Sequence, residues 1–118
     1  MTHPPDPATI ARRGSQLELL LWTQIDHARL TLPEWQYQID DVGHKWDFAY
    51  PGIGVLIEVQ GGTRGLGRHS REPGYSEDRL RANRAQLDGW HVLEFTRAMI
   101  HDESALDAIR DALGEVGR

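Results

Sequence analysis

The sequence predicts an α/β fold in which a mixed β-sheet is flanked by helices within a single domain. Three observations carry this prediction: an apolar helical period before residue 30, three strand patterns between residues 35 and 60, and a helix–strand–helix series after residue 74. The length of 118 residues favours one domain that folds without disulfides, and the chain has no cysteine. We place this domain at residues 14–118, behind a flexible N-terminal leader of residues 1–13.

The first helix is predicted from about Ser15 to Ala28, where leucine and isoleucine recur at helical spacing. Leu32-Pro33 ends this pattern, because proline cannot continue a helix. No apolar run in the chain approaches the roughly 20 residues that span a bilayer. We therefore expect no membrane partner.

Three strands are predicted next. Residues 35–39 alternate between apolar side chains and glutamines, as a half-buried strand does. Residues 45–50 form a second strand that ends at Pro51-Gly52, and residues 53–60 form a third. The third strand has a continuous apolar core, which is typical of a central strand covered on both faces. The short turn between the second and third strands indicates antiparallel neighbours.

The second half of the chain alternates between helix and strand. A helix is predicted from Tyr75 to Leu87, and a fourth strand over residues 90–95. A final helix, capped by Thr96 or Asp102, ends near Leu113. The predicted order is therefore α-β-β-β-α-β-α, and the helical crossover to the last strand makes the sheet mixed.

Charge is distributed unevenly along the chain. The formal net charge is −5, which argues against nucleic-acid binding over the whole surface. Residues 64–84, however, hold six arginines and one histidine against three acidic residues. This segment is net positive inside an acidic protein, which favours a local contact with a polyanion.

Asp47 and Glu58 are the candidate metal ligands. Both lie within apolar strand sequence, where an ionised carboxylate is costly unless something pairs with it. Centring the turn near residues 52–53 places the two residues opposite each other within one residue of register. Carboxylates so placed lie about 5 Å apart, close enough to share a Mg²⁺ ion.

Lys45 and Gln60 are expected on the same patch, because side chains two apart along a strand share a face. The arrangement suits phosphodiester cleavage, in which a metal ion activates water and a cation stabilises the developing negative charge. Lys45 as a solvated lysine and Gln60 as an ordinary polar residue at a strand end stay open as alternatives.

The spacing Asp47, ten residues, Glu58-Val59-Gln60 resembles the signature of the PD-(D/E)XK nuclease superfamily, with Gln60 where lysine is commonest. Residues 14–100 resemble its very-short-patch-repair-like and phage-encoded small endonucleases through Trp46-Asp47-Phe48, Glu58-Val59-Gln60-Gly61-Gly62, His69, Tyr75, Asp78, Asn83 and Gly89-Trp90-His91-Val92-Leu93. The element order matches that superfamily's restriction-endonuclease-like core.

The resemblance implies a DNA substrate, Mg²⁺ or Mn²⁺ as cofactor, and Glu18 as an accessory acidic residue of the site. The metal ligands are then Asp47, Glu58, Val59 and Glu18. For Glu18 an alternative stays open, since Ser15-Gln16-Leu17-Glu18 is a capping box that closes a helix N-terminus.

Several further residues are candidates for contact with the substrate. His69 is a candidate general acid or base in a glycine-rich loop, with a surface histidine as the alternative. His44 and His91 match no metal-ligand spacing. The expected nucleic-acid contacts are Arg64, Arg68 and Arg71 in the loop and Tyr75, Arg79 and Asn83 along one helix stripe.

The sequence thus leads to the hypothesis of a divalent-metal-dependent DNA endonuclease. It is expected in the cytoplasm of a bacterial or phage-infected cell, without a small-molecule cofactor. Two alternatives stay open: a nuclease-fold module that binds nucleic acid without cutting it, and a homodimeric nuclease that resolves Holliday junctions.

Overall fold

The computed structural model describes residues 6–40, 43–60 and 74–116, apart from the side chains of residues 74 and 75. The helices are α1 (Pro7–Arg13), α2 (Gln16–His27), α3 (Gly74–Leu87), α4 (Arg97–His101) and α5 (Ser104–Leu113). The strands are β1 (Glu34–Tyr37), β2 (Trp46–Tyr50), β3 (Val55–Gln60) and β4 (His91–Thr96). Over these ranges the chain forms one mixed sheet flanked by helices, which confirms the predicted fold class.

The strands lie in the order β1-β2-β3-β4. β1 and β2 are antiparallel, β2 and β3 form a hairpin, and β3 and β4 are parallel through the α3 crossover. The hairpin turns through a short 3-10 helix at Pro51–Ile53, followed by Gly54 at a φ of 69°. A left-handed residue there suits glycine, which has no Cβ to clash. The predicted central position of the third strand is confirmed.

Two apolar clusters cover the sheet. The larger cluster joins helices α1, α2, α4 and α5 to inward-facing residues of the strands, among them Phe48, Ile57 and Phe95. The smaller cluster joins Ala85 of α3 to Trp46, Ala49 and Leu56. We call the sheet face under α3 the α3 face.

The predicted leader of residues 1–13 is wrong for Pro7–Arg13, which form α1. The carboxylate of Asp6 caps this helix by accepting the backbone N–H of Thr9 at 2.8 Å, and proline stands at its first turn. Ile10 is fully buried in the larger cluster. α1 therefore belongs to the domain.

The predicted final helix is two helices. Thr96 caps α4 by accepting the backbone N–H of Met99, and Asp102 accepts the backbone N–H of Ser104 where α5 begins. Thr96 is therefore the predicted cap that the structure confirms, whereas Asp102 is the C-cap of α4 and Glu103 is the N-cap of α5. Glu103, with a φ of 69°, makes the bend between them. Within the described ranges, no helix is long and apolar enough to cross a membrane.

Candidate active site

Asp47 and Glu58 lie side by side on β2 and β3. The pairing of Phe48 with Ile57 and of Ala49 with Leu56 continues to place Asp47 opposite Glu58, as the turn position predicted. The backbone N–H of Asp47 donates to Glu58 Oε2 at 3.2 Å, and the backbone N–H of Val59 donates to Asp47 Oδ2 at 2.7 Å. Each carboxylate is therefore oriented by an amide of the opposite strand.

The sheet is distorted where Asp47 lies. The pairs of Trp35 with Phe48 and of Tyr37 with Trp46 place Gln36 opposite Asp47, and Gln36 has a left-handed φ of 56°. On either side of this point, Trp35 and Phe48 pack with the larger cluster, whereas Tyr37 and Trp46 pack with the smaller one. Such a backbone conformation costs about 1 kcal/mol or more in a residue with a side chain, and it is concentrated at functional sites.

Glu58 carries the strongest electrostatic perturbation in this region. Burial, followed by the charge of Asp47, raises the pKa of Glu58 to about 8 from an ordinary value of 4.5. The hydrogen bond from the Asp47 amide and the charge of Arg81 act in the opposite direction. At neutral pH and without a cation, the pair therefore retains a proton on Glu58.

His44 lies against this carboxylate. Its Nε2 is 3.6 Å from Glu58 Oε2, and its ring meets the ring of Trp46 edge to face, with centroids 4.9 Å apart. Burial and the positive charge of Arg81 lower the pKa of His44, which keeps the ring neutral at physiological pH. His44 could not be selected from the sequence, because it precedes β2 and matches no ligand spacing.

Glu94 is a further carboxylate beside this pair, and the sequence analysis did not select it. It pairs with Glu58 in the parallel register of β3 and β4, and it accepts a hydrogen bond from Arg79 Nη1 at 2.7 Å. The sequence does contain a signal for Glu94, since this residue interrupts an apolar strand just as Glu58 does. The sequence does not determine the register between β3 and β4, which aligns the two residues on the α3 face.

Glu18 is buried, and its carboxylate accepts the indole N–H of Trp35 at 2.8 Å. Its own backbone N–H donates to Ser15 Oγ at 3.0 Å, which confirms the helix cap by Ser15. Within the described part of the chain, no three Asp, Glu or His side chains are grouped so as to hold a metal ion. The structure therefore leaves Glu18 outside a three-carboxylate group with Asp47 and Glu58.

The remaining predicted residues fall into three sets. Gln60 is half-buried on β3, two residues beyond Glu58, and Lys45 is exposed directly before β2. Arg79 of α3 donates a hydrogen bond to Glu94 on the α3 face, and Asn83 is exposed on α3. His69, Arg64, Arg68, Arg71 and the side chain of Tyr75 lie outside the described residues.

The donor set suits a hard divalent cation. The Asp47 and Glu58 carboxylates each accept a backbone N–H from the opposite strand, and burial, followed by the charge of Asp47, raises the pKa of Glu58. Oxygen ligands of this kind bind Mg²⁺ or Mn²⁺, which retain several water ligands when protein ligands are few. Comparison of the chain with protein-family models, curated proteins and solved structures finds no match.

Proposed function

We propose that this protein is a divalent-metal-dependent endonuclease that hydrolyses phosphodiester bonds in DNA. One observation carries the proposal: Asp47 and Glu58 are held side by side by reciprocal contacts with the backbone, and burial, followed by the charge of Asp47, raises the pKa of Glu58 to about 8. A carboxylate pair that retains a proton in the apo protein, yet is fixed in place, is poised to exchange that proton for a cation.

Asp47 and Glu58 would hold Mg²⁺ or Mn²⁺, with the Val59 carbonyl proposed as a further ligand. When bound, the ion would polarise the phosphate and lower the pKa of a bound water. The protein's own contribution is orientation, because the amides of Asp47 and Val59 hold the two carboxylates across the strand pair. Preformed ligands avoid reorganisation during the reaction.

Other residues would act on the substrate. We assign the orientation of the attacking water to Glu58 or the Gln60 amide, and stabilisation of the phosphate to Lys45 or an arginine. Arg81 of α3 is an additional candidate, because its charge acts on both Glu58 and His44. The resemblance noted in the sequence supports DNA as the partner and the cytoplasm of a bacterial or phage-infected cell as the location.

The test is a cleavage assay on purified protein. We expect plasmid DNA to be nicked or cut with Mg²⁺ or Mn²⁺ and to stay intact with EDTA. Asp47→Ala and Glu58→Ala should abolish cleavage while circular dichroism shows a folded protein. Asp111→Ala, an exposed acidic residue on α5, is the matched control and should cut like the unmodified protein. Cleavage by both alanine variants at the unmodified rate would refute the site.

Gln60 favours a second candidate, a module that binds nucleic acid without cutting it, because the lysine common at this position is absent. Thermal stabilisation by Mn²⁺ with no cleavage of any substrate would support this module. A panel of linear, mismatched and four-way-junction DNA, combined with sedimentation, tests the dimeric junction nuclease.

A further inference from the structure

A groove of about 500 Å³ lies between α3 and Ile39, Asp40 and His44, which follow β1 and precede β2. Its lining includes His44 and Trp46 on the strand side and Leu80, Arg81 and Arg84 on the helix side. The volume falls within the range of small-molecule sites, roughly 300–1,000 Å³. Of the residues that line it, the proposed reaction uses Arg81 as a candidate for stabilising the phosphate.

The groove adjoins the carboxylate pair. His44 is a wall of the groove, and its Nε2 lies 3.6 Å from Glu58 Oε2. Arg81 also lines the groove, and its charge acts on Glu58. A group bound in the groove would therefore lie beside a phosphodiester held at Asp47 and Glu58.

The chemistry of the walls selects the type of group. The half-buried ring of His44 lies edge to face against the ring of Trp46, which is 3% exposed, and Leu80 on the helix side is 65% exposed. The lining also contains the arginine donors Arg81 and Arg84 and three carboxylate acceptors, Asp40, Glu77 and Asp88. Three acidic groups disfavour a run of phosphates. A flat, neutral ring with donors and acceptors on its edge fits such walls, and a nucleobase is that group.

We propose that the groove binds one unpaired nucleobase of the substrate strand, adjacent to the bond that is cut. The inference rests on the proposed nuclease function and names its substrate class. A base inside a duplex is stacked and paired, and it enters such a groove only after leaving the helix. The preferred substrate is therefore DNA that carries an unpaired nucleotide.

The test measures binding in EDTA, where no cleavage occurs. The probes are a fully paired duplex, the same duplex with one extra unpaired nucleotide, and the same bulge built with an abasic residue. We expect the bulged base to bind about 10-fold more tightly than either other probe, the size of effect that one stacked base produces. Equal binding of the bulged base and the abasic bulge would overturn the proposal.

Two leucines of α3 provide a matched pair of variants. Leu80 lines the groove, whereas Leu87 lies outside it on the same helix and is 76% exposed. Leu80→Glu should remove the preference for the bulged base, because it places a charge against the ring. Leu87→Glu adds the same charge and should retain the preference. Equal behaviour of the two variants would also overturn the proposal.

The inference and the nuclease function fail in different ways. Cleavage with Mn²⁺ of paired and bulged duplex alike, without any preference in binding, leaves the nuclease standing and refutes the groove. A base preference that Leu80→Glu removes, in a protein that cuts nothing with Mg²⁺ or Mn²⁺, supports the groove and refutes the nuclease.

Discussion

Over the described residues, one face of the sheet is closed by helices α1, α2, α4 and α5, whereas the other is covered by α3 alone. The first face is continuous apolar packing, with Phe48, Ile57 and Ile109 fully buried. On the α3 face the apolar cluster is small, and it gives way to Glu58 and Glu94. The two faces share the same strands, so the difference arises from the residues that alternate along them.

One face of the sheet mainly stabilises the fold, whereas the other holds the groups proposed for the reaction. Burial of apolar surface on the larger cluster contributes most of the driving force for folding, at roughly 25 cal/mol per Å². The α3 face instead holds carboxylates, and burial, followed by the charge of Asp47, raises the pKa of Glu58 there. Ala85 is the one hydrophobic side chain of α3 that is buried among the described residues, and Leu80 and Leu87 are exposed. We therefore expect substitutions in the larger cluster to change mainly stability, and substitutions of the carboxylates on the α3 face to change mainly the reaction.

The largest effect is expected at Phe48. This side chain is fully buried in the larger cluster, so Phe48→Ala should lower the free energy of unfolding by about 3–5 kcal/mol through lost burial and a cavity. Urea unfolding measures this. Leu80→Ala, on the exposed surface of α3, is the control and should change stability by less than about 0.5 kcal/mol. Similar losses for both variants would remove the distinction between the faces.

Ile10 tests how far the apolar face extends. Ile10→Ala should cost about 2–4 kcal/mol, because α1 seals an edge of the larger cluster with a fully buried side chain. The neighbouring exposed Ala11→Gly serves as a comparison and should cost about 1 kcal/mol, from helix propensity alone. If Ile10→Ala unfolds at the unmodified urea midpoint, α1 contributes nothing to the domain.

The sequence predicted most of the sheet and the central carboxylate pair, because both depend on local information. The turn at Pro51-Gly52 sets the hairpin register, and residue counting then places Asp47 opposite Glu58. The apolar continuity of β3 indicated its central position. Where one short turn connects two strands, sequence distance determines spatial distance.

The parts that failed depend on contacts between distant segments. Glu94 aligns with Glu58 only through the parallel register across α3, which residue counting does not determine. Helix α1 contains one buried residue, so it has no apolar period to detect. The left-handed conformation of Gln36 occurs where β1 and β2 both change from packing with the larger cluster to packing with the smaller one. No turn residue in the sequence marks this point.

A pH series tests the charge on the α3 face. In EDTA, Glu58 binds its proton up to about pH 8 in the folded protein, against an ordinary pKa of 4.5. The folded state therefore holds more protons between these values, and the stability contributed by this group is complete below pH 4.5 and lost as the pH rises to about 8. Glu58→Gln cannot titrate, so it should be more stable than the unmodified protein at pH 8.5, by a margin that grows by at most about 1.4 kcal/mol per pH unit between pH 4.5 and about 8.

Chemical denaturation at several pH values measures this difference, which should vanish near pH 4.5. Mn²⁺ should reverse the order at pH 8 if it binds the ionised pair, because a ligand of the folded state stabilises it. A stability difference that does not change with pH would show that the pKa of Glu58 is not raised in the folded protein.

The smallest effect distinguishes the buried carboxylate of Glu18 from the half-buried carboxylate of Glu58 on the opposite face of the sheet. Glu18 lies with the larger cluster and accepts the Trp35 indole N–H, so Glu18→Gln retains its shape and its acceptor but exchanges a charged hydrogen bond for a neutral one. We expect a loss of about 1 kcal/mol in unfolding free energy and nuclease activity within a few-fold of the unmodified protein.

The same isosteric change at Glu58 should stabilise the metal-free fold and abolish cleavage. Loss of cleavage in Glu18→Gln at unchanged stability would instead return Glu18 to the metal site, as the family resemblance implies. The sign of the stability change, measured beside cleavage, therefore separates a carboxylate that supports the fold from one that serves the reaction.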